Sequence, residues 1–309
     1  MRSVLVIGGS GFIGSNLIKK LIQKGESVTS FDLHHTDYPV EGVKYISGDF
    51  FDDENLERAL DGIDAVYHCL STVNPGNSNI RFMQGYARDF VQSVHLFDLC
   101  IKRGIKVIFL SSGGTIYGIQ NEQPIREDAE CKPINHYGSV KLCIESVMRT
   151  FNTQTHSNML IARISNPYGP GQDFHKGVGF VDAAVKKTLS HEPIEIWGDG
   201  TVIRDYIYID DVAEMLYALL DYNGEQEVFN ISSNEGISLN QVIECLQKLG
   251  YTPKVQYKDS RSVDVPAVVL DNEKIRMVYT GPLTSFQEGL EKYTDYLQHN
   301  GWEQSQNQE

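Results

Sequence analysis

Tyr137 and Lys141 stand as Y-x-x-x-K at the start of an amphipathic stretch, so a helix there places both side chains on one face. The pair suits proton transfer. A free tyrosine ionises near pH ~10 and is a poor base at neutrality. A neighbouring ammonium favours the phenolate and brings that ionisation down. Such a tyrosine can exchange a proton with a substrate hydroxyl while a bound redox cofactor exchanges a hydride with the same carbon. The spacing alone is common, so its context decides what it means.

That context begins at the N-terminus. Gly8, Gly11 and Gly14 form G-x-x-G-x-x-G directly after the apolar run VLVI, with Phe12 and Ile13 opening a helical pattern. The first glycine permits a tight turn, the second lets backbone approach a pyrophosphate, and the third lets helix and strand pack closely. Exposed N–H groups and the helix dipole then favour the anion. Asp32, followed by Leu33, ends the second apolar run, SVTSFDL. A carboxylate there accepts from the adenosine ribose hydroxyls and repels a 2′-phosphate, which favours NAD over NADP. No arginine follows it; His34 and His35 do. Asp49 and Phe50 end the third run, YISGDF, where a carboxylate can meet the adenine amino group or cap the next helix; Asp52 and Asp53 are equally placed for the cap. Ser111, Ser112 and Thr115 lie where KVIFLSS runs into GGTIYG, at the carboxyl end of a strand, where open α/β sheets bind ligands. These hydroxyls either orient a sugar oxygen or satisfy local backbone.

Placing these residues requires alternating strands and helices. Apolar runs at 4–7, 27–31, 43–47, 65–70, 106–111 and 159–164 alternate with helical patterns at 12–24, 53–60, 89–103 and 139–151. Such alternation predicts parallel strands joined by helical crossovers, a doubly wound α/β sheet. Runs such as VLVIG and KVIFLSS are apolar without alternation, as strands buried on both faces are. Beyond Pro167 the pattern changes to a glycine- and proline-rich stretch and shorter mixed elements. The division expected is 1–166 for the cofactor domain and 167–309 for a substrate region packed on it, with 204–231 returning to the first.

The chain has 309 residues, 41% hydrophobic and 22% charged, and a net charge of −14. A chain this acidic is a poor partner for nucleic acid or an anionic membrane. Five cysteines at no metal-ligand spacing predict reduced thiols, no metal site and a cytoplasmic protein. No run approaches the ~20 apolar residues of a membrane span.

GGSGFIG, SSGGTIYG, YGSVK, RISNPYGP and Arg204-Asp205-Tyr206 occur in this order over nearly the whole chain. Together they resemble the extended short-chain dehydrogenase/reductases, the NAD-dependent epimerase/dehydratase family. The resemblance implies a Rossmann-type doubly wound sheet with a smaller C-terminal α/β region that binds a nucleotide-sugar. It implies Tyr137 as proton shuttle with Lys141 its partner, and Leu70, Ser71, Ser111 and Ile164 beside the cofactor. It places Asn166 on the substrate diphosphate, Arg204 and Arg261 on phosphate or nucleoside, and Asp264 on a ribose hydroxyl. Gly113 stands where the family usually has serine or threonine, so Thr115 or Ser112 takes that role or the hydroxyl is dispensable. Asp89 stands where the family often has asparagine.

The family's 4,6-dehydratases carry acidic residues before the x-Tyr-Gly turn; Gly113-Gly114-Thr115 carries none. The resemblance therefore leans to a UDP-sugar 4-epimerase, acting by transient oxidation at C4. Its alternatives are an NAD(P)H-dependent reductase of a nucleotide-linked 4-keto-6-deoxy sugar and, more remotely, a non-catalytic NAD-binding sensor. The first two suit surface-polysaccharide biosynthesis. The family also commonly dimerises through a four-helix bundle. The stripe Phe90, Val94, Phe97 and Ile101 on the 89–103 helix suggests a homodimer, or burial against the chain's own sheet.

Overall fold

The computed structural model describes residues 1–34, 36, 39–172, 179–259 and 265–300. The first half alternates β1 (Ser3–Ile7), α1 (Phe12–Gln23), β2 (Ser27–Asp32), β3 (Lys44–Ser47), α2 (Asp53–Ala59) and β4 (Ala65–His68). A helical run follows, comprising α3 (Phe82–Gln84), a π-helical segment Gly85–Phe90 and α4 (Val91–Arg103). Then come β5 (Lys106–Ser112), the short α5 (Gly113–Ile116), α6 (His136–Thr155), β6 (Leu160–Ile164) and β7 (Asn166–Tyr168). The second half holds α7 (Phe180–Leu189), β8 (Pro193–Trp197), β9 (Ile203–Tyr208), α8 (Ile209–Asp221), β10 (Val228–Ile231) and β11 (Gly236–Ser238). It closes with α9 (Leu239–Lys248), β12 (Lys254–Lys258), β13 (Ala267–Val268), α10 (Glu273–Arg276) and α11 (Phe286–His299).

Seven parallel strands form the main sheet in the order β10-β6-β5-β4-β1-β2-β3. This is a Rossmann-type doubly wound sheet. The order reverses between β1 and β4, which opens a crevice at their carboxyl ends. The unbroken apolar runs now have a reason. Val4 and Val6 join the core on one face with α1 and α8, while Leu5 and Ile7 join the core on the other with α4 and α6. All four are fully buried, each contributing about 1.5–3 kcal/mol relative to exposure.

Of the returning segment, β9 lies outside the main sheet, paired with β7, β11 and β13, while α8 and β10 lie within the first layer. A third core gathers Tyr168, Val185, Ile196, Leu246, Leu290 and Tyr293 under the second sheet. Phe97 on α4 is wholly buried, and Ile101 on α4 and Phe90 at the end of the π-helical segment pack on the sheet core. Those three residues of the stripe therefore face the chain's own core, and Val94 is half-buried. Among the described residues, no helix is long and apolar enough to cross a membrane.

Candidate active site

The glycine turn between β1 and α1 is shaped by close backbone approach. Gly8 has φ of 80°, and a β-carbon on Gly14 would lie 2.3 Å from the Gly8 carbonyl oxygen. Side chains at these positions would push the turn off the helix start. The Ser10 amide donates to Asp32 Oδ2 at 3.0 Å and the Leu33 amide to Oδ1 at 2.8 Å, which fixes the carboxylate beside the turn. Gly8, Gly11, Asp32, Leu33, Asp49, Phe50, Leu70 and Ser71 line one cleft of about 540 Å³. Phe12 and Ile13 open α1 just behind it, and Ile164 is buried at the end of β6. The helix cap goes to Asp52, which accepts from the Asn55 amide at 2.9 Å, so Asp49 is free of that duty and faces the cleft. Arg88, which no local pattern singles out, also lines the cleft. Its guanidinium lies 4.0 Å from the Phe51 ring centroid and 3.7 Å from Asp49 Oδ2. Glycines whose β-carbons have no room, a carboxylate at the second strand end and a cleft of this size fit a dinucleotide.

Asn135 caps α6 by accepting from the Gly138 amide at 2.8 Å, and this sets Tyr137 in the first turn. Lys141, one turn on, is buried, donates to the Leu110 carbonyl at 2.9 Å and lies 5.7 Å from the Tyr137 ring centroid. The sequence suggested a phenol ionising below its ordinary value. The structure reverses this: burial and the nearby Asp89 carboxylate push Tyr137 up to about 12, against a weaker opposing bond to Ser112. Burial likewise lowers Lys141 to about 8, with Asp89 acting in the opposite direction.

At the end of β5 the two serines part. Ser111 turns its hydroxyl into the buried Glu145–Arg163 pair, donating to Glu145 Oε1 at 2.5 Å. Its side chain is therefore not a cofactor contact, which corrects that expectation. Ser112 faces Tyr137. Gly113 is crowded: a β-carbon there would meet Leu270 Cδ1 at 2.3 Å, so a side chain at this position requires the tip of Leu270 to move aside. Thr115 Oγ1 is buried with no hydrogen-bond partner among the described residues, as a group awaiting a ligand would be. Gly138 sits against the Thr115 carbonyl, and Gly114 faces Asn166, with 3.6 Å between its β-carbon position and Oδ1. The α5 turn thus joins Tyr137 to a second cavity.

That cavity, of about 270 Å³, is lined by Asn166, Phe180, Glu195, Trp197, Arg204 and Tyr206 among others. Asn166 Nδ2 donates to the Asp205 carbonyl at 3.0 Å, and Arg204 Nη1 donates to the carbonyls of Ile203 and Val265, both at 2.8 Å. Asp205 is wholly buried and accepts from Ser165, Ser233, Asn234 and Leu270, tying β9 to the end of β6 and to the loops beside it. No motif marks Glu195 and Trp197 as lining residues, although the alternation in PIEIW puts both on one exposed face of β8. Arg261, Asp264 and His35 lie outside the described residues.

Fold and cleft define an NAD-dependent enzyme built on a Rossmann-type sheet. The chain belongs to the NAD dependent epimerase/dehydratase family, matched over residues 4–232. It is 29% identical over 307 residues to a dTDP-4-dehydro-6-deoxyglucose reductase of Escherichia coli, spanning 94% of this chain and 96% of that one. The Thermotoga maritima UDP-glucose 4-epimerase, solved with UDP-glucose, superposes with a TM-score of 0.90 at 30% identity, covering 96% of this chain and 99% of that one. The Thermus thermophilus UDP-glucose 4-epimerase in complex with NAD gives 0.88 at 27% identity, covering 96% and 99%. NAD is the cofactor, and the protein is an enzyme of this family.

Proposed function

We propose that this protein is a nucleotide-sugar 4-epimerase, acting on UDP-glucose and UDP-galactose or their N-acetyl forms. The observation that carries the reading is the α5 turn. One side of it meets the start of α6 at Gly138, and the other meets Asn166 of the cavity that Arg204 lines. A sugar linked through a diphosphate has the length and charge to lie across it. The division supporting this is a cofactor domain at 1–166 and a substrate region at 167–309, with α8 and β10 packed into the first.

Bound NAD supplies the hydride acceptor and donor at sugar C4. The residues manage the proton. Tyr137 Oη exchanges it with the C4 hydroxyl, Ser112 and Thr115 hold that oxygen, and the Lys141 ammonium favours the phenolate. Burial holds Tyr137 as a phenol, and the same burial strengthens Lys141, because a buried ammonium acts in low dielectric and counts for more than it would in water. Elimination of water has no acid to serve it in the turn, since Gly113, Gly114 and Thr115 carry no carboxyl. Arg204, Asn166, Arg261 and Asp264 are assigned to the nucleotide diphosphate and ribose. The enzyme is a cytoplasmic homodimer through α4 and α6, and sedimentation finding a monomer at micromolar concentration would overturn that assembly.

The relative from E. coli favours a second reading, reduction of a nucleotide-linked 4-keto-6-deoxy sugar. One experiment separates the two. The enzyme with a trace of NAD is given UDP-glucose, UDP-galactose and their N-acetyl forms, and C4 configuration is followed by NMR. Inversion without net cofactor consumption supports the epimerase. No inversion, with stoichiometric NADH or NADPH oxidation on a 4-keto sugar, replaces it with the reductase.

A further inference from the structure

Topology fixes which end of the cofactor cleft takes the adenine. Tyr137 lies with Ser112 at the end of β5, and from there the sheet runs β5-β4-β1-β2-β3. A dinucleotide with its nicotinamide at Tyr137 therefore carries its other base to the ends of β2 and β3. Asp32 pairs with Ser47 in register, and the Gly48 amide donates to the Asp32 carbonyl at 3.0 Å, which brings Asp49, Phe50 and Phe51 to that far end. The Phe51 amide donates to Asp49 Oδ1 at 3.0 Å. Asp49 Oδ2 faces Arg88 at 3.7 Å, beyond hydrogen-bond reach.

Arg88 reaches the same end from another element. The helical run from α3 to α4 widens at Gly85–Phe90 into a π-helical segment, an irregularity frequent at functional sites. The segment gives its side chains three separate tasks. Tyr86 Oη meets His136 Nδ1 at 3.2 Å, Asp89 is buried and accepts from the Thr72 amide at 2.8 Å, and Arg88 lines the cleft. The Arg88 guanidinium carbon stands 4.0 Å from the centroid of the Phe51 ring. The Arg88 side chain is 47% exposed and that of Asp49 45%, so the ion pair between them adds little to folding. A planar ligand gains more from this arrangement than the fold does. A guanidinium is flat, weakly hydrated and stacks on aromatic faces. Adenine offers such a face, and its 6-amino group is a donor for a carboxylate.

We propose that Arg88 is the adenine-recognition residue of this enzyme: its guanidinium, steadied by Phe51, covers the purine face, while Asp49 Oδ2 accepts from the 6-amino group. The contact strengthens on binding, because a cation over an aromatic face is worth more once water has left it. Ligands that carry adenine should therefore depend on Arg88, and the nicotinamide half alone should not. The inference concerns the half of NAD that takes no part in hydride transfer, so it stands whichever sugar the enzyme turns over.

Arg88→Met keeps the reach of the side chain and removes its planar charge. The full-length protein is titrated calorimetrically with NAD, ADP-ribose and nicotinamide mononucleotide. NAD and ADP-ribose should weaken by the same factor, about threefold to thirtyfold, while nicotinamide mononucleotide stays within about twofold. Arg88→Lys keeps the charge without the plane and should recover only part of the loss. Unchanged ADP-ribose affinity in Arg88→Met, an equal loss for nicotinamide mononucleotide, or full recovery by lysine would overturn the proposal. Should the variants fail to fold, the unaltered protein gives a second readout. The assigned Arg88 Nε–H resonance, followed by NMR, should move upfield under the adenine ring current on adding NAD or ADP-ribose and stay in place with nicotinamide mononucleotide. A resonance that ignores ADP-ribose overturns the proposal equally. Both measurements read binding alone, so an enzyme inactive on every 4-epimerase substrate would sink the proposed function and leave this test standing.

Discussion

Replacing Gly14 by alanine tests how the nucleotide turn is built. The new methyl carbon would lie 2.3 Å from the Gly8 carbonyl oxygen, 3.0 Å from Gly9 Cα and 3.1 Å from the Gly8 carbonyl carbon. All three are backbone atoms, so no side chain can swing aside. Restoring ordinary contact requires the start of α1 to move roughly 1 Å from the β1 turn. Overpacking of that kind costs about 1–3 kcal/mol. With an unfolding entropy of roughly 2.1 cal/mol/K per residue, Tm should fall by about 2–5 °C. The amides that face the pyrophosphate move with the turn, and charge-assisted hydrogen bonds are worth about 1.5–3 kcal/mol each. NAD affinity should therefore drop by about tenfold to a hundredfold. Gly11→Ala is the graded comparison, because its methyl carbon would stand 3.2 Å from the same oxygen and a few tenths of an ångström would accommodate it. Calorimetric Tm and NAD titration on both variants decide the matter. Equal losses at the two positions, or none at Gly14, would refute the steric reasoning.

Three further outcomes are expected. Tyr137→Phe should lower kcat by about 10²–10⁴ while leaving NAD affinity within about twofold, and near-normal turnover would exclude the proton route. Asp32→Asn keeps an acceptor but removes a charge that repels a 2′-phosphate by roughly 5 kcal/mol before screening; the NAD over NADP affinity ratio should narrow by about a hundredfold, and an unchanged ratio would remove Asp32 from cofactor choice. Lys141→Met should abolish activity yet stabilise the fold at pH 7 by about 2–3 kcal/mol, because burial holds the folded amine at about 8, below its ordinary 10.5. The sign follows from proton binding. At pH 7 both folded and unfolded chains carry the proton and the folded one bears the cost. Between about pH 8 and 10.5 the folded amine releases it first, so the unaltered enzyme gains stability and the gap closes. Denaturant unfolding at neutral and alkaline pH measures it, and a variant less stable at pH 7 would contradict the burial argument.

Local spacing carried a good deal of this protein. Three glycines after an apolar run, a carboxylate ending the next strand and a tyrosine–lysine pair on one helical face are set by backbone geometry over a few residues. They are legible before any fold is known. The non-alternating apolar runs likewise predict strands covered on both sides, as the two cores flanking β1 show. Contacts between residues distant in the chain had to wait for the tertiary structure. Alternation along a strand says that Ser111 and Ser112 face opposite ways, but the position of Glu145 decides which one meets Tyr137. Leu270 crowds Gly113, and Thr72 receives Asp89, through packing that no local pattern records. The same holds for the stripe on α4. Its periodicity announces a buried face, and the location of the sheet determines that the chain's own core takes Phe90, Phe97 and Ile101. The sign of the Tyr137 shift has the same origin: spacing brings a lysine near, whereas burial, a property of the whole fold, dominates and pushes the phenol up.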